Sequence, residues 1–139
     1  MAAKVRKIAT EEAWSIPEVA AELKKVPRGP SQSLDKQLIG GIYDQEGGGT
    51  QYAGVNFLEG LLDAEDIRLK QMDQFGVDMH LLALTAPGVQ MFDADTATEL
   101  AALANDVLAG LCKKYPTRFA SLASMAPHSP KRAAKEMER

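Results

Sequence analysis

Cysteine is almost absent from this chain. Cys112 stands alone, which excludes an internal disulfide and fits a reducing compartment. Net charge is also scarce, at -3 over 139 residues, so there is no bulk electrostatic attraction toward nucleic acid or an anionic membrane. No apolar run reaches the length of a signal sequence or a membrane span, and the expected location is the cytoplasm. There is no repeat of fixed period. Histidine is limited to His80 and His128. A metal centre built from side chains needs three or four ligands, so a complete one is not expected here.

What remains is an ordinary globular composition, 45% apolar and 25% charged, in one domain's length of chain. The informative stretch is Lys7-Ile8-Ala9-Thr10-Glu11-Glu12-Ala13-Trp14. Val5 and Ile8 suit a short buried strand over residues 4–10, and two carboxylates come where that strand should stop. A carboxylate at the C-terminal end of a first strand is what an α/β barrel uses to hold a metal or move a proton. The blander reading is a solvated helix start. Alternation sends Glu12 to the side opposite Glu11, which leaves Glu11 as the candidate metal ligand.

Further along, Ser15, Pro17 and Glu18 carry a helix-start pattern, predicting a helix over Pro17–Lys25. Residues 27–57 hold Gly40-Gly41, Gly47-Gly48-Gly49 and Gly54 and read as a long Gly-rich loop, with a role in covering the site as a secondary reading. The triple glycine matches neither phosphate-binding pattern. A helix is expected over 58–75, ended by Gly76. The run 77–84 is nearly continuous in apolar residues, as in a strand buried on both faces of a parallel sheet. Residues 85–89 form a turn. A helix from Thr96 to Lys114 is predicted from the stripe Leu100, Leu103, Ala104, Val107, Leu108 and Leu111, with Thr96 and Glu99 as its capping box. A third strand over Phe119–Met125 and a helix opening at Ser129 complete the chain. His80, inside the second strand, reads as a buried, hydrogen-bonded histidine, and Cys112 as core. Asp93 and Asp95 read as helix-start residues.

Strands alternating with helices predict an α/β fold with a parallel sheet. A (β/α)8 barrel needs about 250 residues, so the expectation is one incomplete barrel domain over 1–139, its first three β/α units and the opening of a fourth. A self-contained three-stranded domain is the structural alternative.

Several separated segments, in order, resemble the amidohydrolase-related (amidohydrolase 2) metal enzymes. They are Ile8–Trp14, Met72-Asp73 with Gly76-Val77-Asp78, Leu82–Gln90, Ala104-Asn105-Asp106, Lys114–Phe119 and Ala126-Pro127. The similarity is greatest to the branch of 5-carboxyvanillate, γ-resorcylate and 2,3-dihydroxybenzoate decarboxylases. The resemblance implies a distorted (β/α)8 barrel, one divalent metal ion (zinc or manganese) and a small hydroxylated aromatic carboxylic acid as substrate. It assigns Glu11 as metal ligand and puts Ala13 where other members have histidine. It implies a further histidine and a catalytic aspartate from later strands, beyond residue 139, so the 139-residue chain alone is expected to be inactive. Tyr43, Thr85, Pro87 and Gly88 would line the substrate pocket. One departure concerns the arginine that some relatives place against the substrate carboxylate: this chain has none between Arg28 and Arg68, and Lys36 lacks the bidentate fork. Two alternatives stand beside this reading: a hydrolase of the same superfamily acting on a lactone or amide, and a non-catalytic chain that self-associates through open sheet edges. A homo-oligomer is expected.

Overall fold

The computed structural model describes residues 5–27, 33–43, 51–52 and 55–139. Its elements in chain order are β1 (Ile8–Trp14), α1 (Pro17–Lys25), α2 (Leu34–Tyr43), β2 (Gln51–Tyr52), β3 (Val55–Asn56), α3 (Phe57–Leu62), α4 (Asp66–Phe75), β4 (Met79–Leu84), α5 (Ala94–Lys114), β5 (Phe119–Ser121) and α6 (Pro130–Glu138). Among the described residues, β1, β4 and β5 form a three-stranded sheet in the order β1-β4-β5. Both pairings are parallel. The flanking helices and the parallel sheet are those expected of alternating strands and helices. β2 and β3 make a separate antiparallel pair. No helix among the described residues is long and apolar enough to cross a membrane.

β4 is the central strand, and its side chains are unequal on its two faces. His80 and Leu82 are buried, whereas Met79, Leu81 and Ala83 are half-buried. The buried face belongs to a core that includes Trp14, Val19, Leu23, Ile39, Met72, Leu82, Leu108 and Phe119. α5 contributes Ala97, Leu100, Ala101, Ala104, Leu108 and Leu111, the inward stripe of an amphipathic helix. Leu103 and Val107, expected on that stripe, lie at its edge, each 39% exposed.

Several boundaries differ from the sequence expectation, each for a physical reason. β1 runs to Trp14 and contains Glu11 and Glu12 within it, because the ladder to β4 continues to Trp14↔Leu84. Tertiary pairing overrides the weak strand preference of glutamate. α1 is capped at Ile16 without a side-chain hydrogen bond, and Ser15 is buried instead. The expected helix over 58–75 is two helices. Asn56 Oδ1 accepts from Glu59 N to open α3, and the Asp63 carboxylate accepts from Ile67 N at 2.7 and 3.1 Å, which opens α4. Gly76 closes α4 in the left-handed conformation at φ 65°. α5 is capped by Asp93, which accepts from Asp95 N and Thr96 N, one turn earlier than the Thr96–Glu99 box. Those bonds hold the Asp93 carboxyl below its usual range. β5 ends at Ser121. Beyond it, the Asn105 amide pairs with both Ser124 N and Ser124 O. This side-chain lock satisfies the backbone that no strand partner reaches.

The expected Gly-rich loop contains α2. Gly40 and Gly41 lie inside that helix, and each costs about 1 kcal/mol relative to alanine. Burial of Ile39 and Tyr43 supplies what propensity withholds. The triple glycine 47–49 lies outside the described residues.

Candidate functional site

β1 carries the site, and the ladder determines how its carboxylates are presented. Ala9 pairs with His80, but the next pair on that side is Glu12 with Leu82, so β1 has one residue more than β4 over this interval. This is a β-bulge at Thr10-Glu11, a feature that re-aims side chains. Beyond it, Glu12 stands opposite Leu82 and Trp14 opposite Leu84, while Ala13 stands opposite Ala83. Glu12 therefore shares the buried face of β4 with His80 and Leu82. Glu11 is exposed.

The Glu12 carboxylate meets two partners. Arg68 Nη1, from α4, donates to Glu12 Oε2 at 3.2 Å, and His80 Nδ1 lies 3.4 Å from the same oxygen. Arg68 is 8% exposed, a buried arginine. Its other nitrogens are also engaged. Nη2 donates to Ala13 O at 2.8 Å and to Gly60 O at 3.3 Å, and Nε to Asp63 O at 3.4 Å. One guanidinium thus binds β1, the end of α3 and the start of α4 together. Burial lowers the Arg68 pKa, opposed by the charges of Glu12 and Asp63. Arginine remains protonated in such a setting. Burial likewise pushes the His80 pKa below 6.5, Glu12 opposes it, and Arg68 and Arg118 reinforce it.

A histidine with a depressed pKa binds fewer protons folded than unfolded, so stability is lost as pH falls from the unfolded value of 6.5 through the lower folded value. The expected result is a fall in chemical-denaturation midpoint between pH 7 and about pH 5, above the range where carboxylates titrate. His80→Gln should flatten that part of the profile.

Glu11, Glu12, Phe57, Arg68, Gln71 and His80 line a cleft of about 270 Å³. The other predicted site residues lie elsewhere. Tyr43 is in α2, 1% exposed. Burial pushes its hydroxyl above the usual range, with the neighbouring Ser15 hydroxyl opposing the shift. Thr85, Pro87 and Gly88 form the turn after β4, where Thr85 N donates to Trp14 O and Gly88 N to Thr85 O, both at 2.8 Å. Pro87 is buried, and Gly88 lines a second cleft of about 260 Å³ with Leu84, Val89 and Ser124. None of Tyr43, Thr85, Pro87 and Gly88 lines the Glu11 cleft. Among the described residues, no group of three or more histidine, cysteine, aspartate or glutamate side chains is placed to hold a metal ion.

Arg68 is the residue that sequence reasoning missed. Its signal is its position four residues before Met72, which puts an arginine on the buried face of α4. Its partners on β1 are 55 and 56 residues away in the chain, beyond any local pattern.

No family model matches the sequence. A γ-resorcylate decarboxylase from a Rhizobium species is 45% identical over 80 residues, which cover 57% of this chain and 24% of the relative. The solved 5-carboxyvanillate decarboxylase from Sphingomonas paucimobilis superimposes with a TM-score of 0.84 at 46% identity, covering 98% of this chain and 39% of that one. The 5-carboxyvanillate decarboxylase from Novosphingobium aromaticivorans, complexed with manganese and 4-hydroxy-3-methoxy-5-nitrobenzoic acid, matches with a TM-score of 0.83 at 36% identity, covering 98% of this chain and 38% of that one. Homologues of this chain are thus γ-resorcylate and 5-carboxyvanillate decarboxylases, and it spans about a quarter of the length of the first and two fifths of the second.

Proposed function

We propose that this chain is part of a distorted (β/α)8 barrel whose complete protein catalyses the metal-dependent, non-oxidative decarboxylation of a hydroxylated aromatic carboxylic acid. The observation that carries this is the match of 98% of the chain to a decarboxylase crystallised with manganese and an aromatic acid. Glu11 is the proposed metal ligand. It is a hard oxygen donor suited to manganese or zinc, exposed within the bulge of β1. The described residues do not form a metal centre by themselves. A divalent ion takes three ligands or more, so the rest of its shell lies outside them. When bound, such an ion supplies Lewis acidity. Thr85, Pro87, Gly88 and Tyr43 remain the proposed substrate-side residues. Self-association of a non-catalytic chain through the open edges of β1 and β5 is the alternative to this reading.

The 139-residue chain with added Mn²⁺ is expected to show no turnover of hydroxylated benzoates. A chimera tests the reading: this chain replaces the matching segment of the Sphingomonas paucimobilis enzyme. It is expected to keep Mn²⁺-dependent release of carbon dioxide, and Glu11→Ala to lower kcat by about 10³-fold or more. A folded, manganese-loaded chimera that hydrolyses a lactone but releases no carbon dioxide would replace lyase with hydrolase. Activity unchanged in Glu11→Ala would remove Glu11 from the site.

A further inference from the structure

One wall of the Gly88 cleft is a stretch of chain that the sheet does not hold. The last ladder bond of β5 is Leu122 N to Leu82 O at 2.9 Å, and the chain re-enters the core at Ala126. Between these points, Ser124 and Met125 line the cleft of about 260 Å³ together with Leu84, Gly88 and Gln90. All of its lining residues come at or after the C-terminal ends of β4 and β5, where parallel α/β sheets place their ligands.

Asn105, on α5, supplies what a neighbouring strand would. Its side-chain oxygen accepts from Ser124 N at 2.7 Å, and its amide nitrogen donates to Ser124 O at 2.9 Å. One carboxamide thus pairs both backbone groups of one residue, as a partner residue does in an antiparallel ladder. The second amide hydrogen goes to Glu136 Oε1 on α6, at 2.8 Å. The orientation of the carboxamide follows. Its nitrogen faces two acceptors, Ser124 O and the Glu136 carboxylate, and its oxygen faces the one donor. Glu136 is held in turn by Arg139, whose Nη2 and Nε donate to its two oxygens at 2.7 and 3.0 Å. The mounting on α5 is firm, because Ala104 and Leu108 on either side of Asn105 are buried.

We propose that Asn105 is a positioning residue of the Gly88 cleft, tying the Ser124–Met125 wall to α5 and so setting the width of the cleft. The consequence for catalysis rests on the reading of Gly88 as a substrate-side residue, whereas the tie itself does not. The chemistry is specific to asparagine. Aspartate lacks both donors and would set a charge against Ser124 O and the Glu136 carboxylate, and glutamine carries the amide one bond too far. The opposite wall has its own backbone bonds, Thr85 N to Trp14 O and Gly88 N to Thr85 O. Loss of the Asn105 carboxamide therefore frees one wall and leaves the other in place.

Native-state amide exchange is measured on the 139-residue chain. Michaelis kinetics are measured on the manganese-loaded chimera with 5-carboxyvanillate, the acid for which the recipient enzyme is named. Asn105→Ala improves helix propensity, so α5 should persist. In that variant Ser124 N is expected to exchange about tenfold faster or more, with Leu122 N, bonded to Leu82 O, changed less than about twofold. In the chimera the same substitution should raise KM about fivefold or more and change kcat less than about twofold, the pattern of weakened substrate binding with the chemical step intact. A variant that is merely less stable gives the reverse, a lower apparent kcat at unchanged KM. Asn105→Gln should show the same shifts at smaller size and serves if the alanine variant does not fold. Met125→Ala alters the wall directly. A raised KM in Met125→Ala beside an unchanged KM in Asn105→Ala would overturn the role of Asn105, as would equal acceleration at Ser124 and Leu122. An unchanged KM in both variants would remove the Gly88 cleft from the substrate site, and the tie would then stand or fall on the exchange at Ser124.

Discussion

Trp14→Ala is expected to lower folding stability by about 4 kcal/mol, the cost of emptying a fully buried indole site. Trp14 is 1% exposed and ends β1, with its Cα paired to Leu84 and its carbonyl accepting from Thr85 N at 2.8 Å. It belongs to the same core as Val19 and Leu23 of α1 and Leu111 of α5. Removing it opens a void in that shared core, and the backbone pairing around it resists collapse into the space. Against a typical domain stability of about 5–15 kcal/mol, this loss brings the chain near its unfolding threshold. Urea denaturation followed by far-UV circular dichroism measures it, since the substitution removes the sole tryptophan and its fluorescence. Trp14→Phe should cost less than half as much. A loss below about 1 kcal/mol in Trp14→Ala would show that the site collapses and that the core is not organised around it.

The second large effect is expected at the buried ion cluster. Arg68→Met should cost about 3 kcal/mol, the lower end of the range for a buried pair that loses one member. The lower end applies because the Glu12 side chain keeps 32% of its exposure and regains some hydration. Three carbonyls also lose a donor. The double variant Arg68→Met/Glu12→Leu removes the orphaned charge and should recover more than half of the loss. The coupling between the two positions, read from a double-mutant cycle, then separates the ion pair from the carbonyl clamp. If the double variant is no more stable than Arg68→Met alone, the carbonyls and not the carboxylate carry the energy.

These two sites differ in how far local sequence announces them. Trp14 lies beyond the strand expected over residues 4–10, whose strand character is visible in the sequence even though its extent is not. The ladder to β4 carries β1 through both glutamates, and pairing partners about 70 residues away leave no mark on local sequence. Asp63 shows the same limit. It reads as one polar residue in a helical run, yet it ends α3 and its carboxylate accepts from Ile67 N in the first turn of α4, where the segment divides into two helices. α2 shows it in the other direction, because Gly40 and Gly41 argue for a loop while the burial of Ile39 and Tyr43 decides for a helix.

Legible in the sequence alone were the order of the main strands and helices, the stripe of α5 and the stop at Gly76. Each of these rests on periodicity or on one residue's intrinsic conformational or chemical character, and such signals are local. Only the tertiary structure decided the sheet order β1-β4-β5, the bulge at Thr10-Glu11, and the company of Glu12. Two neighbouring glutamates look alike in a sequence. Their difference arises from a guanidinium on α4 and an imidazole on β4, brought within 3.2 and 3.4 Å of the Glu12 carboxylate by packing between elements distant in the chain.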